Sequence, residues 1–161
     1  MQSITLIALG KLNADYFRAA AAEYQKRLSG FCKLNVVELP EEPIREKNAS
    51  EAVIEKALEK EAKAILSHVQ RPGILVALCI EGRQISSEEL ADFLARQAVG
   101  GAGSVTFVIG SSHGLSPLVK KSADFSLSMS RMTFPHQFAR VMLLEQLYRA
   151  FSIQAGKKYH K

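Results

Sequence analysis

Residues 104–130, "SVTFVIGSSHGLSPLVKKSADFSLSMS", decide the fold. "SVTFVIG" is an apolar, β-branched run of strand length that closes on a glycine. Ser116 and Pro117 then stand where a helix wants its cap and its first residue, so a short helix starts at "SPLVKK". "DFSLSMS" reads as a further strand. A helix between two strands is the crossover that parallel neighbours need. An almost wholly apolar strand belongs in a sheet covered on both faces.

The same alternation extends in both directions. Upstream, "SITLIAL" reads as a buried strand, followed by a helix over 13–29 with Gly30 as its stop. "CKLNVVEL" alternates as a second strand, and the charged loop "PEEPIREKN" follows. Asn48 and Glu51 have capping-box spacing for a helix to about residue 69. "RPG" is a turn, "ILVALCI" a buried strand, and Ser86 with Glu89 caps a helix through about residue 98, which "GGAG" ends. Downstream of the opening stretch, one long helix spans about 136–152. Five strands alternating with helices predict a single α/β domain over 1–161, with a mainly parallel sheet flanked by helices.

The last helix, "HQFARVMLLEQLYRAF", is apolar around most of its circumference. A helix of that kind wants cover on more than one side, and a second copy of the chain in a homodimer would supply it. The apolar runs are far shorter than the ~20 residues of a membrane span, and "MQSITLIALGKLNADY" lacks the basic leader of a signal peptide. These features predict a cytoplasmic protein with no membrane association. Cys32 and Cys79, each in a strand-like stretch, read as reduced thiols.

Charge is unevenly placed. Residues 1–110 hold 13 Lys/Arg against 14 Asp/Glu, whereas residues 111–161 hold 8 against 2. A basic C-terminal third points to an anionic partner, nucleic acid foremost. That third closes on "AGKKYHK", which reads either as a solvated tail or as part of a site.

Ligands of open α/β sheets bind outside the carboxyl ends of the strands, so three loops matter: "CIEGRQ", "IGSSHGLS" and "SRMTFPHQ". "ALGKLNAD" after the first strand has neither the dinucleotide fingerprint nor the phosphate-loop pattern. His68, His113, His136 and His160 lack ligand spacing, so no metal is expected. Residues 110–114 satisfy G-x-S-x-G, the nucleophile elbow of serine hydrolases. Ser112 would be its nucleophile, with Asp124 or Glu145 and then His160 as partners. No glycine-rich oxyanion loop precedes it, and "LSP" delays the helix that an elbow requires at once. Gly110 and Gly114 read either as a plain turn or as a close backbone approach to a ligand. A noncatalytic RNA-binding module is a third class compatible with the charge.

"FVIGSSHGLS" followed by "FSLSMSRMTFPHQFARVMLLEQLYRAFSIQAGKKYHK" resembles the RlmH family, the smallest of the SPOUT methyltransferases; "ITLIALGKL" and "EYQKRLSG" extend the likeness along the whole chain. The resemblance implies a homodimer with a deep trefoil knot in its C-terminal part. It also implies that S-adenosylmethionine is the cofactor and that N3 of a pseudouridine in 23S (large-subunit) ribosomal RNA is methylated, within the ribosome. It implies cofactor contacts at Leu78, Gly110, Met129, Ser130, Arg131, Met132, Thr133 and Phe134. Two positions depart from the family pattern, with Ser111 at a common glycine and Cys79 at a common aspartate. Transfer to an imide nitrogen requires its proton to be removed or the developing anion stabilised. On that ground His160 is assigned proton handling, Tyr159 stacking or hydrogen bonding to the base, and Arg149 an electrostatic role, with His136 and Arg140 as further candidates. Phe134, Phe138 and Phe151 read as core.

Overall fold

The computed structural model describes residues 1–45 and 47–161; Glu46, in the charged loop, lies outside the described residues. Five strands alternate with five helices: β1 (Ser3–Leu9), α1 (Asp15–Leu28), β2 (Lys33–Leu39), α2 (Glu51–Ser67), β3 (Ile74–Gln84), α3 (Ser87–Val99), β4 (Ser104–Ile109), α4 (Pro117–Ser122), β5 (Phe125–Ser128) and α5 (His136–Gln154). The strands form one sheet in the order β2-β1-β4-β3-β5, and every neighbouring pair is parallel.

The period-two alternation of each strand divides the core in two. Ile4 and Leu6 of β1 and Val105, Phe107 and Ile109 of β4 point to one face, where α1, α3 and α5 cover them. Ile7 and Leu9 of β1, Leu75 and Ala77 of β3, and Val108 of β4 point to the other, under α2 and α4. Each fully buried Leu, Ile or Phe in these layers contributes about 1.5–3 kcal/mol relative to exposure. β4 and, from Ile4 on, β1 are buried, whereas β2 at one edge keeps Lys33, Asn35 and Glu38 exposed, a pattern that discourages further strand pairing.

Several local expectations are corrected. α1 starts at Asp15, because Ala14, before it, is extended (φ −119°, ψ 143°), and the Asn13 N–H donates to the Gln137 side chain at 2.7 Å. α1 ends at Leu28 through right-handed Ser29, so Gly30 is not a left-handed stop. Ser50, not Asn48, caps α2, since its hydroxyl accepts the Val53 N–H and leaves Glu51 as the first helical residue. The box of Ser86 and Glu89 on α3 is fully formed, and Pro117 opens α4 behind the Ser116 cap. β3 runs four residues beyond "ILVALCI", for a reason that shapes the site. α5 finds part of its cover within its own chain, between α1 and α3, while Phe138 is exposed and Val141, Met142 and Tyr148 are only partly buried.

Candidate active site

The chain leaving β4 must cross β3 to reach β5, and a crevice opens where these three strands end. A cavity of about 720 Å³ lies there, walled by the end of β3, the loop after β4, the end of β5 and the first turn of α5. Its β3 wall is a departure from regular pairing. Leu127 pairs first with Leu78 and then with Arg83, so residues 79–82 leave the β5 ladder and Cys79, Ile80 and Glu81 line the cavity. Lys120 of α4 forms an ion pair with Glu81 across the rim. That hydrogen bond, with one from the backbone, holds the Glu81 carboxyl below its usual range.

Both glycines of the loop after β4 are required by the loop's own fold. Gly114 has φ +84°, a turn conformation that favours glycine. At Gly110 a Cβ would fall 2.4 Å from the Gly114 carbonyl oxygen, so the loop folds this tightly only without a side chain there. Ser111 fits without positive φ, pairs with Gly114 as an isolated bridge, and donates its hydroxyl to Glu61 at 3.2 Å.

Seven of the eight cofactor residues implied by the resemblance line this cavity: Leu78, Gly110, Met129, Ser130, Met132, Thr133 and Phe134. The eighth, Arg131, is exposed and outside the lining. His136 joins the wall, with Nε2 3.4 Å from the Glu41 carboxylate. Ser112, the candidate hydrolase nucleophile, also lines it, and so do Ile80, Glu81, His113 and Lys120, which had no role assigned from sequence. Their signal was their place in the flagged post-strand loops and the helix after them, but no motif distinguished them individually. Phe151 is core, as expected, whereas Phe138 is 47% exposed, its ring edge-on to Phe17 of α1 at 5.8 Å, and Phe134 is half-buried at the cavity.

The C-terminal tail forms a second cluster. Gly156 (φ +65°) ends α5, with its N–H on Ile153 O (3.0 Å) and the Lys157 N–H on Ser152 O (2.9 Å). This Schellman arrangement turns the chain back along the helix. Arg149 donates to Glu145 Oε1 from Nε (3.0 Å) and Nη2 (2.7 Å), and the Tyr159 hydroxyl donates to the same oxygen (3.1 Å). The Tyr159 ring meets Tyr148 edge-on at 4.7 Å, and the Arg149 guanidinium lies 4.8 Å from its centroid. Burial, then Tyr24 and Glu145, push the Tyr159 phenol far above its ordinary pKa, so it acts as a hydrogen-bond donor and not as a base.

His160 is held at both ring nitrogens, Nε2 to Glu88 (2.7 Å) and Nδ1 to Arg149 Nη1 (3.1 Å). A guanidinium only donates, so Nδ1 accepts and the ring proton sits on Nε2, facing Glu88.

These two clusters do not meet within one chain. At ~1.5 Å per residue, Glu145 and Arg149 stand about 13 and 20 Å along α5 from His136. Arg140 is elsewhere again, 3% exposed, paired with Glu38 and donating to Gly10 O at 2.8 Å, where it ties α5 to the ends of β1 and β2. The hydrolase triad is not assembled. Asp124 accepts from Arg71 (3.0 Å) and the Leu75 N–H (2.8 Å), Glu145 holds Arg149, and His160 is held by Glu88 and Arg149. Ser112 stays at the cavity wall without them.

Known proteins agree with this architecture. Residues 2–160 match the family model described as predicted SPOUT methyltransferase. The chain is 46% identical over 158 residues to the ribosomal RNA large subunit methyltransferase H of Bifidobacterium adolescentis, covering 98% of this chain and 99% of that protein. It is 47% identical over 159 residues to the protein of the same name from Clostridium novyi, covering 99% of each. Among solved structures, a probable methyltransferase from Bordetella pertussis Tohama I superposes with a TM-score of 0.54 at 17% identity, over 92% of this chain and 95% of that one, a likeness of fold. With the family model matched almost end to end and relatives near half identical over their full length, this chain belongs to the SPOUT methyltransferase family.

Proposed function

We propose that this protein uses S-adenosylmethionine to methylate N3 of a pseudouridine in large-subunit ribosomal RNA, acting as a homodimer on the assembled ribosome. The observation that carries the reading is the convergence of seven family cofactor positions on one cavity at the strand ends. The residues fit the cofactor. About 720 Å³ suits a nucleoside-sized ligand, Leu78, Leu115, Leu127 and Met129 offer an apolar slot, and Gly114 in the lining has open space where a side chain would stand, so a ligand can approach its backbone. When bound, S-adenosylmethionine supplies a methyl group on a sulfonium, which an aligned nucleophile displaces without a metal.

The chain's own task is then to orient the acceptor and accommodate its N3 proton. Tyr159 and Arg149 are suited to donate to or stack on the base, and His160 to take the proton once the acceptor displaces its bond to Arg149. Because the tail and the cavity of one chain lie apart, the tail is proposed to complete the site of the partner copy. Exposed Met132, Phe138 and Tyr16, at 73%, 47% and 71%, support a partner at the cavity end of α5. The family's deep trefoil knot belongs to the same reading.

The test is transfer of a tritiated methyl group to ribosomes lacking the modification, with protein-free rRNA in parallel. Incorporation at the pseudouridine of the ribosome is expected; incorporation into neither overturns the enzyme assignment. Absence of calorimetric binding of S-adenosylmethionine overturns the cofactor and leaves an RNA-binding module.

A further inference from the structure

Among the described residues Glu61 is the only buried carboxylate, 6% exposed on the inner side of α2 among Ala57, Leu58, Ala62 and Ile65. A carboxylate in that setting is costly unless donors meet it. Two do, and they come from two different loops, of which the Ser111 loop lines the cavity. The Ser111 hydroxyl, next to Gly110, donates to Oε1 at 3.2 Å. The Glu42 N–H, in the loop after β2, donates to Oε2 at 2.8 Å. That loop also carries Glu41, which reaches His136 at the start of α5. Lys60, the neighbour of Glu61 in sequence, pairs instead with the Glu42 carboxylate at 3.4 Å. An apolar residue would pack α2 on the sheet at lower cost, so what the carboxylate adds is the link between the two loops.

We infer that Glu61 is a positioning residue of the cofactor pocket: one carboxylate fixes the Gly110–Ser111 segment and the Glu41–Glu42 segment relative to each other. The cofactor loop is thereby held in its binding shape before the ligand arrives, which lowers the ordering cost of binding. The inference rests on the reading that this cavity takes S-adenosylmethionine.

The test uses the full-length protein with Glu61→Gln, Ser111→Ala and the double variant. Calorimetry gives the dissociation constant for S-adenosylmethionine, and hydrogen exchange on the cofactor-free protein gives the mobility of residues 110–114 and 41–42. Each single change is expected to weaken cofactor binding by about tenfold, as loss of a hydrogen bond to a charged group would. The double change should be no worse than the worse single one, because the two residues share one bond. Exchange should quicken in both segments of Glu61→Gln, and KM for the cofactor should rise with kcat at saturation within about twofold. Unchanged affinity in the folded variants, or independent additive losses, overturns the inference while leaving the cofactor reading intact. Failure of the unaltered protein to bind S-adenosylmethionine overturns both. If Glu61→Gln does not fold, Ser111→Ala with Ser111→Thr, which restores a hydroxyl, decides the same point: affinity lost and regained supports the link, and affinity unchanged in both overturns it.

Discussion

Cys79 and Cys32 present thiols in opposite settings. Cys79 lines the cavity and is half-buried, whereas Cys32 is 3% exposed and burial pushes its thiol up to about 11. A maleimide at neutral pH is expected to label Cys79 alone in the folded protein, and saturating S-adenosylmethionine should slow that labelling several-fold. Labelling of Cys32 only after denaturation completes the pattern in a mass-spectrometric time course. Glu61 makes a second prediction. Burial first, and then the charges of Glu41 and Glu42, raise its pKa above the ordinary 4.5 against the opposing bonds from Glu42 and Ser111. The folded chain thus binds this proton more tightly than the unfolded chain, and the associated stability is lost as pH rises through the raised value. Glu61→Gln cannot ionise, so its Tm minus that of the unaltered protein should increase with pH from about 4.5 upward. Arg140 is legible in sequence only as a cation in a basic third; its burial shows a tie. Arg140→Ala should cost about 3 kcal/mol in chemical denaturation.

At the scale of elements, the helix end at Gly156 connects fold to tail. A left-handed residue with a Cβ is disfavoured by about 1–2 kcal/mol, so Gly156→Ala should lower stability by roughly that amount. It should also displace Tyr159 and His160 and reduce methyl transfer about tenfold, with cofactor affinity unchanged by calorimetry. The sequence revealed this glycine but not its function, because a Schellman turn is defined by the carbonyls it reaches. β3 shows the complementary case. "ILVALCI" is legible as a strand from its apolar run, but the looping out of residues 79–82 depends on how β5 pairs beside it. The misplaced cap of α2 has a local cause. Asn48 and Ser50 are both good caps, and spacing alone cannot choose between them.

For the whole molecule, the separation of tail and cavity makes subunit exchange informative. Gly110→Val disables a cavity, and deletion of residues 159–161 disables a tail, while each chain keeps the other part. Mixed and exchanged, the two inactive proteins should recover activity if the tail serves the partner's cavity, with up to a quarter of the maximal sites restored by random pairing. No recovery, with dimers confirmed by sedimentation, would mean that each tail serves its own chain. The structure also sharpens the charge argument. Of the eight cations in the last third, Lys120, Arg140 and Arg149 are paired within the chain. The exposed lysines of the tail, Lys157, Lys158 and Lys161, remain the better candidates to meet phosphate.

The sequence by itself determined the class of fold, since period-two and period-3.6 patterns, glycines and caps act over a few residues. Through its long C-terminal motif it also singled out residues that line one cavity. Tertiary structure decided the strand order, the β3 excursion, the roles of Arg140 and Glu61, and the division between cavity and tail. Each of those depends on which residues distant in sequence come within hydrogen-bonding reach, as Glu61 does with Ser111 and His160 with Glu88. No local pattern encodes such distances; the packing of five helices on one sheet sets them.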